Sequence, residues 1–436
     1  MHEGEQNGFM TFMEEKFIPV AARIGTERHL LAMRDGVVMM MPLLIIGAFA
    51  MVVAEFPNQG VQDFMASTFG ENWNAFEGII MNATYGIAAL VACLGVAGSL
   101  VKSYGIDGMP AGIIGMSSLM AVVVPSVLTD GDKTVEAWIA GSLDANLLFT
   151  ALLVAIITGE IYRWFIQKNV TIRLPGAVPP AVSAQFAALI PGVVTLILFT
   201  AVRLLFATTA WGGFPAFVSD VISRPLRSVG TSYVGTLLAC LMEHLLWSFG
   251  LHGSSVVIFP IFEPLWIVNM NENITEGAKN IVTFTFYENG VWIGGSGATL
   301  AAVLYMMFFA KSELLKSIGR IGILPSLFNI NEPVTFGLPI VLNPVLMVPY
   351  ILAPMTAMTV QYVGTAVGLF PLCNNMVPWT TPVLISGFLT TGSFMGVVAQ
   401  LCGLAAALAI WLPFIRAYDK KCYREERARE GQGLAV

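Results

Sequence analysis

Long apolar segments separated by short polar connections run through most of this chain. A helix needs about 20 consecutive apolar residues to span the hydrocarbon of a bilayer, and these segments lack the strict alternation of membrane-barrel strands. The pattern therefore predicts membrane-spanning helices. Their approximate limits are 37–56, 79–101, 109–128, 147–165, 187–206, 232–249, 291–310, 345–369 and 383–414. In the last of these, a short entering segment precedes the span.

Several connections do not fit a simple loop between spans. Residues 251–264 and 321–344 interrupt the second half of the chain, and we expect both to be re-entrant segments near a ligand site. The proline-rich residues 173–182 predict a structured connection rather than a helix. Residues 9–35 and 212–230 mix charged with apolar positions, which is typical of amphipathic helices at the membrane interface.

Composition supports the membrane setting. Hydrophobic residues make up 56% of the chain and charged residues only 11%, whereas soluble domains carry about 25% charged residues. The mean hydropathy of +0.75 also excludes a water-soluble globular protein. We therefore predict an all-α polytopic membrane protein.

The distribution of Lys and Arg near the spans, rather than the net charge of −6, predicts the orientation. Basic residues cluster at 23–34 and 416–429, whereas the loops at 56–77 and 129–144 are acidic and poor in Lys and Arg. We expect both termini to be cytoplasmic and these loops to lie outside. The N-terminal residues are polar and show no cleavable signal peptide.

Neither a metal site nor a cofactor is indicated. The five cysteines are scattered, with no CxxC pair. Glu243 and His244 lack the HExxH spacing of a zinc site, and we interpret them as a helix-packing pair. The glycine-rich residues 294–299 lack the Lys-Ser/Thr that completes a nucleotide loop. Nucleotide and nucleic-acid binding are therefore not expected.

The string Asn-Ile-Asn-Glu-Pro, from Asn329 to Pro333, is the strongest candidate for a ligand site. An ionisable residue at membrane depth is costly, so its default interpretation is functional. Backbone broken by proline persists in a bilayer only where protein or a water-filled cavity satisfies it. Glu332 is thus expected to line a cavity, with Asn331 beside it, and flanking amides suit a hydroxyl-rich ligand. A polar loop at the membrane surface is the alternative interpretation.

A second candidate group surrounds His252. Gly250 and Gly253 flank this histidine where a helix is expected to end, so the backbone can approach a ligand closely. Trp247 offers an apolar ring face on which a sugar can pack. The alternatives are a structural histidine and a tryptophan of the interfacial aromatic belt.

Two further segments have open interpretations. We favour residues 294–299 as small residues that let helices pack closely; otherwise they form a loop whose backbone donors line the ligand cavity. Residues 374–382 include Trp379 and Thr380 and suit a polyol, or they form a polar loop between spans. Together with Glu332 and His252, these groups favour carbohydrate over an ion or a charged ligand. No chain of further carboxylates suggests a proton relay.

Together, these segments resemble the membrane-embedded IIC component of the bacterial phosphoenolpyruvate-dependent sugar phosphotransferase system, specifically its lactose/cellobiose/diacetylchitobiose family. The likeness covers nearly the whole chain, and the string Asn331-Glu332-Pro333 is its most specific part. It rests on residues 29–36, 174–182, 249–253, 294–300, 329–344 and 378–382.

The resemblance implies a homodimer in the bacterial inner membrane, in contact with lipid, with about ten transmembrane helices per protomer, re-entrant segments and interfacial amphipathic helices. It divides the chain into an N-terminal half at 1–230 that supplies the dimer contact and a transport half at 231–415 that moves the sugar. Residues 416–436 are expected to be a charged cytoplasmic tail.

The resemblance also implies a substrate and partners. The substrate would be a β-linked disaccharide of the cellobiose, diacetylchitobiose or lactose type. A IIB protein, itself phosphorylated by IIA, would phosphorylate the C6 hydroxyl, with Glu332 as general base or only as a sugar ligand. The donor cysteine would be on IIB, so Cys422 is not that residue. The expected sugar-binding residues are Glu332, His252, Asn331, Trp247, Trp379, Gly253 and Thr380.

Two other function classes compete with this interpretation. A proton-coupled secondary transporter would use Glu332 as its proton carrier and deliver unmodified sugar. A membrane-bound enzyme would modify the sugar without moving it across the bilayer.

Overall fold

A computed structural model describes residues 15–16, 18–54, 56, 58–130, 133–138, 142–175 and 178–431. These residues are mostly helical. The helices are α1 (Ile18–Gly25), α2 (Arg28–Ala54), α3 (Gln59–Phe69), α4 (Phe76–Thr84), α5 (Ala88–Lys102), α6 (Met109–Val122), α7 (Leu148–Gln167), α8 (Pro180–Ala187), α9 (Leu189–Ala207), α10 (Phe214–Val218), α11 (Arg224–Gly230), α12 (Tyr233–Ser248), α13 (Glu263–Thr275), α14 (Phe284–Val291), α15 (Leu300–Phe308), α16 (Glu313–Leu327), α17 (Glu332–Gly337), α18 (Pro344–Ala366), α19 (Ile385–Thr391) and α20 (Phe394–Gly431). A short antiparallel hairpin joins β1 (Ser126–Asp130) to β2 (Lys133–Ala137).

The helices confirm an all-α polytopic membrane architecture. Among the described residues, 6 helices are long and apolar enough to cross a bilayer, or up to 8 if each of two bent helix pairs is one span. The bent pairs are Phe214–Gly230 with Tyr233–Ser248, at 74°, and Phe284–Ala298 with Leu300–Phe308, at 51°. α6 is apolar but has only 14 residues. A count of about ten spans therefore relies on short and bent helices.

A close helix contact holds the first half together. α2 packs along α5, which in turn packs against α6 and α7. Gly36 of α2 faces Gly95 of α5, because a Cβ placed on Gly95 would lie 2.9 Å from the Cα of Gly36. Small residues allow this approach, and van der Waals packing drives helix association where lipid is as apolar as the side chains.

Two boundaries in the first half differ from the sequence prediction. Residues 28–35 belong to α2 rather than to an interfacial helix, and 9–14 and 17 lie outside the described residues. The expected span at 109–128 ends at Val122, and the chain enters β1 at Ser126. Pro125 cannot continue a helix and disfavours helical backbone before it, which accounts for the earlier end.

The second half contains helices that are broken inside the protein. The expected continuous span at 291–310 is interrupted between α14 and α15, where Gly294, Gly295 and Gly297 have φ of +83°, +92° and +79°. Only glycine adopts such backbone readily. The predicted break within 321–344 is confirmed, because α16 and α18 are separated by the six residues of α17 and irregular chain.

Residues 251–264 follow a break in the chain at Gly250, where φ is +80°, and are helical for most of their length. A π-helical segment at Ser254–Phe262 continues directly into α13. Pro260 lies inside this wider helix, and Pro264 lies in the first turn of α13, where a missing N–H is tolerated. The segment is therefore mostly helical, and its re-entrant position stays a prediction.

At the other end, the expected charged tail does not start at a helix boundary. α20 runs from Phe394 to Gly431, so residues 416–431 extend the last spanning helix. Asp419 on this extension accepts backbone hydrogen bonds from Lys311 at 3.0 Å and Ser312 at 2.9 Å. These contacts fix the start of α16 against the end of α20.

Two apolar cores meet near the middle of the chain. One contains buried residues between Ala32 and Trp292, together with Met358, Cys373 and Met376. The other joins Trp247 to residues between Ile293 and Cys422. The boundary between the cores thus falls at the ends of α12 and α14, and a cavity opens beside it.

Candidate functional site

A cavity, here called the central cavity, forms where α12, the loop after α14 and α17 come together. It holds about 600 Å³ of empty space, which includes the open solvent at its mouth. Residues more than 100 positions apart in the sequence therefore meet here. The lining residues are Trp247, His252, Ser254, Phe259, Trp292, Gly295, Ser296, Asn329, Asn331, Glu332 and Trp379.

Glu332 is the first residue of α17 and is exposed to the central cavity. Asn329 has a φ of +61°, which turns the chain into this short helix, and Pro333 follows Glu332 in its first turn. No hydrogen bond to the Glu332 carboxylate occurs among the described residues. The carboxylate oxygens are therefore available to accept hydrogen bonds from a ligand.

Asn331 uses its amide mainly inside the protein. Its Nδ2 donates to the Ser296 carbonyl at 2.6 Å and to the Thr299 hydroxyl at 3.0 Å. A Cβ on Gly295 would lie 2.5 Å from the Asn331 side chain. Its Oδ1 accepts from the Ser296 hydroxyl at 3.3 Å, so Asn331 positions the glycine loop beside Glu332.

The glycine loop itself, Gly294 to Thr299, lines the central cavity with Gly295 and Ser296. The favoured interpretation of these residues as helix-packing positions was wrong, because they separate two helices instead. The Ser296 hydroxyl lies 2.6 Å from the Tyr350 hydroxyl, and Trp411 Nε1 donates to the Gly297 carbonyl at 3.0 Å. α18 and α20 therefore hold the loop in place.

Asn329 connects three segments of the cavity wall, although it was not among the expected site residues. Its Oδ1 accepts from Gly294 N at 3.0 Å, and its Nδ2 donates to the carbonyls of Trp379 at 2.8 Å and Thr381 at 3.2 Å. The sequence places Asn329 in the right string but gives no sign that it bridges to residues 50 positions away.

His252 and Trp247 form one side of the central cavity, with ring centroids 4.3 Å apart. The Ser255 amide donates to His252 Nδ1 at 3.2 Å, so the neutral ring carries its hydrogen on Nε2. Trp247 Nε1 is buried and has no acceptor among the described residues. Both rings therefore bring a donor to this part of the site.

Trp292 is a wall residue that the sequence did not single out, since it falls inside an expected span. Its Nε1 donates to Glu243 Oε1 at 3.0 Å, and Tyr287 donates to Glu243 Oε2 at 2.5 Å. Ser254, another lining residue, also donates to this buried carboxylate. Glu243, which does not line the cavity itself, therefore holds the wall residues Trp292 and Ser254 in position.

His244 packs within its own helix, as expected for the Glu243-His244 pair. Its Nδ1 lies 2.7 Å from the Cys240 carbonyl and 3.8 Å from Glu243 Oε2. His244 does not line the central cavity. The pair therefore combines a helix hydrogen bond with the support that Glu243 gives to Trp292.

Two of the expected residues do not line the central cavity. A Cβ on Gly253 would clash with the Glu243 carbonyl, so this glycine allows close packing of the segment against α12. Thr380 follows the lining residue Trp379 but is not part of the wall. Within 374–382, Asn374 and Asn375 lie at a different cavity.

Buried carboxylates near the site were also missed. Glu263 is wholly buried and Glu288 is 8% exposed, and neither carboxylate has a hydrogen-bond donor among the described residues. The two side chains are close enough to interact electrostatically. The sequence interpretation, which found no chain of further carboxylates for a proton relay, did not single out this buried pair. The two residues are 25 positions apart in the chain, and the sequence gives no measure of their proximity.

Comparisons with known proteins agree with this geometry. The family described as Phosphotransferase system, EIIC, matches residues 34–354. The Lichenan permease IIC component of Bacillus subtilis (strain 168) is 39% identical, with 96% of this chain and 95% of that protein covered. The cellobiose-specific EIIC component of Geobacillus stearothermophilus is 40% identical, with 96% of each covered.

A solved structure matches as well. The crystal structure of the transporter ChbC, the IIC component from the N,N'-diacetylchitobiose-specific phosphotransferase system, superposes with a TM-score of 0.90 at 38% identity. The match covers 97% of this chain and 100% of that chain. The sequence match spans most of the chain and the structural match nearly all of it, and together they identify this chain as a member of the EIIC family of the phosphotransferase system.

Proposed function

We propose that this protein takes up a β-linked disaccharide of the cellobiose, diacetylchitobiose or lactose type across the bacterial inner membrane. Sugar uptake coupled to phosphorylation by a IIB partner is the role of the EIIC family. The observation that carries the choice of ligand is the central cavity, where the Glu332 carboxylate, which has no hydrogen-bond donor among the described residues, shares the wall with several tryptophan rings and neutral amides. Related proteins named for cellobiose and diacetylchitobiose support a β-linked disaccharide.

In this proposal the cavity residues hold the sugar through hydroxyl groups and ring faces. Glu332 accepts hydrogen bonds, while His252 Nε2 and Trp247 Nε1 donate them. Trp379, which is 47% exposed, offers a ring face on which a pyranose can pack. Gly253 supports the wall from outside it by packing against Glu243, and Thr380 follows Trp379 in the chain.

Phosphorylation then takes place at the C6 hydroxyl of the bound sugar. The hydroxyl oxygen attacks the phosphorus of the phosphocysteine on IIB, the P–O bond forms, the P–S bond breaks and the cysteine leaves as a thiolate. Glu332 is the group placed to accept the hydroxyl proton or to orient that hydroxyl. Trapping the sugar as a phosphate makes uptake one-way without an ion gradient.

The two parts of the chain have different roles in the proposed transporter. Residues 1–230 serve as a scaffold for a homodimer embedded in lipid, and residues 231–415 carry the sugar, with both termini in the cytoplasm. α9 supports a contact with lipid or a second copy, because Val193, Ile197, Leu204 and Leu205 on it are exposed and apolar. Cross-linking of Ile197→Cys across two protomers tests the homodimer, and its absence in native membranes argues for a lipid-facing α9.

The direct test of the function is sugar phosphate formation. Purified protein is supplied with phosphoenolpyruvate, the general phosphotransferase proteins, IIA and IIB, and a panel of disaccharides. We expect the 6-phosphate of at least one β-linked disaccharide and none of maltose. Absence of any phosphorylated β-linked sugar, with active IIB confirmed separately, contradicts the proposal.

A further inference from the structure

A second polar cavity, here called the outer cavity, lies where α2 and α4 meet α13 and α19. It holds about 1120 Å³ of empty space including its open part. Amides and hydroxyls supply most of its polar wall, and among the described residues Glu77 is the one charged lining residue. The amide and hydroxyl residues are Asn273, Thr275, Asn374, Asn375, Thr390 and Thr391.

One of these amides has an oxygen without a hydrogen-bond donor among the described residues. Asn375 is 7% exposed, and its Oδ1 is buried without a donor among the described residues. Its Nδ2 donates to the Leu389 carbonyl at 3.0 Å, which fixes the direction of the amide. Asn374 Oδ1, by contrast, accepts from Asn273 Nδ2 at 2.8 Å. A buried carbonyl oxygen left without a donor costs free energy, so a ligand hydroxyl is its fitting partner.

The position of the outer cavity follows from the proposed orientation. If the basic residues before α2 are cytoplasmic, α2 carries the chain across the bilayer and its end at Ala54 lies outside. Met51 and Val52, close to this end, line the outer cavity. The cavity is therefore placed to receive a solute from outside the cell.

A narrow space adjoins the central cavity on the side of α14 and α19. Trp292, Asn329 and Trp379 line both this space and the central cavity. The space is also lined by Glu288, whose carboxylate has no internal donor among the described residues, and by Asn289. Polar groups that can accept sugar hydroxyls thus continue from one cavity toward the other.

A hydrogen-bonded partition separates the two ends. Asn289 Nδ2 donates to the hydroxyl of Thr390, which lines the outer cavity. Gln400 Nε2 donates to Asn289 Oδ1 and to the Ser386 hydroxyl, each at 2.9 Å. Neutral amide and hydroxyl pairs of this kind can exchange partners with a sugar at small cost, because each hydrogen bond lost is replaced.

We propose that the outer cavity is a second sugar-binding site, which holds a β-linked disaccharide from outside before the sugar reaches the central cavity. The network of Asn289, Thr390 and Gln400 is the closed partition between the two sites. This inference rests on the proposed function, and it adds a binding step that precedes phosphorylation.

The first experiment compares a buried amide that lines the outer cavity with a buried amide that does not. Asn375→Leu removes the unpartnered oxygen in the outer cavity, while Asn271→Leu removes a similar buried amide that does not line it. We expect Asn375→Leu to raise the KM for cellobiose uptake into right-side-out vesicles roughly 3- to 10-fold. The KM of phosphorylation in detergent, where the central cavity is reached directly, stays unchanged, and Asn271→Leu changes neither KM. Equal effects of the two variants, or an unchanged uptake KM in Asn375→Leu, overturn the proposal.

A second experiment does not depend on a buried substitution. Thr275 is exposed at the outer cavity, so Thr275→Cys in a Cys402→Ser background can be labelled by a membrane-impermeant maleimide. Ser67→Cys on α3 is the matched exposed control outside this cavity. We expect cellobiose to slow labelling at Thr275→Cys but not at Ser67→Cys.

The labelling is then repeated with Glu332→Gln added, which disables the central site. Protection that persists supports a separate outer site, and protection that is lost places all sugar binding in the central cavity and overturns the inference. If the unmodified protein forms no sugar phosphate, the proposed function fails on its own. If it forms sugar phosphate but shows no protection at Thr275→Cys, only the outer site fails.

Discussion

At the scale of single residues, the central cavity contains polar groups of two kinds. The first kind forms its hydrogen bonds with other parts of the wall, as Asn329, Asn331 and Glu243 do. Glu332 has no such partner among the described residues, and Trp247 Nε1 has none either. Substitution of the first kind should disturb the wall, whereas substitution of the second kind should remove a contact with the ligand and leave the wall intact.

Glu332→Gln tests the second kind most directly. The amide is nearly the same size but lacks the charged acceptor and cannot take up a proton, and hydrogen bonds to charged acceptors are about twice as strong as neutral ones. We expect sugar uptake and phosphate formation to be abolished or severely reduced in a normally expressed, folded protein. Glu313→Gln, at an exposed position on α16, is the control. Wild-type uptake by Glu332→Gln would remove Glu332 from the site.

His252→Ala should weaken sugar binding rather than folding. Truncation leaves sugar hydroxyls without a donor in a desolvated cavity, at a cost of roughly 1 to 3 kcal/mol, which is about 5- to 150-fold in affinity. Equilibrium binding of cellobiose to purified protein in detergent measures this directly. An unchanged affinity would show that His252 has only a structural role beside Trp247.

The sequence identified residues whose chemistry is unusual for a membrane span. Glu332 and His252 stand out because ionisable groups are costly in lipid, and both line the central cavity. Trp292 and Asn329 were missed for a different reason. Tryptophan is common in spans and asparagine in loops, and their importance depends on Glu243, Gly294 and Trp379, which are distant in sequence.

At the scale of secondary-structure elements, the break between α14 and α15 decides the shape of the central cavity. Hydrophobicity alone predicted one continuous helix here, because an apolar run does not reveal backbone that only glycine can adopt. The hairpin at β1 and β2 was missed similarly, since valines next to Pro125 extend an apolar run without extending a helix. Spans bounded by clear capping residues were located well: Ser232, expected to begin a span, caps α12 by accepting from Gly235 N.

Gly297→Ala tests the importance of the broken helix. Gly297 has a φ of +79°, which costs a residue with a side chain about 1 to 2 kcal/mol, and a Cβ would also clash with the Tyr350 ring. Gly105→Ala is the matched control, because Gly105 has a φ of +77° but no atom of the described residues within 4 Å of the Cβ position. We expect a lower thermal unfolding midpoint in both variants and a clearly larger decrease in Gly297→Ala, with loss of cellobiose affinity in that variant alone. Similar decreases in both would show that Tyr350 yields to the added methyl group.

At the scale of the whole molecule, the arrangement of the two cores supports a transport half that differs from the first half in packing. Trp247 and Ile293 belong to the core that extends to Cys422, whereas Leu246 and Trp292 belong to the core that starts at Ala32. The division predicted at residue 230 is therefore not where the cores separate, since much of 239–292 packs with the first half. A movement of the sugar site relative to the scaffold would shear contacts along this boundary.

The source of energy for uptake is the last and broadest prediction. Buried Glu263 and Glu288 give the proton-coupled alternative a structural basis that the sequence lacked, because carboxylates without a hydrogen-bond donor among the described residues can serve as proton carriers inside a membrane protein.

Membrane vesicles are loaded with phosphoenolpyruvate and the soluble phosphotransfer proteins, and an uncoupler then removes the proton gradient. We expect sugar phosphate to accumulate inside at an undiminished rate while free sugar does not, since P–S bond cleavage drives the reaction. The Glu288→Gln variant should accumulate sugar phosphate at the same rate with and without the uncoupler. If accumulation instead ceased with the gradient and the internal sugar were unmodified, coupling would belong to the carboxylates, and Glu332 would be reassigned from sugar ligand to proton carrier.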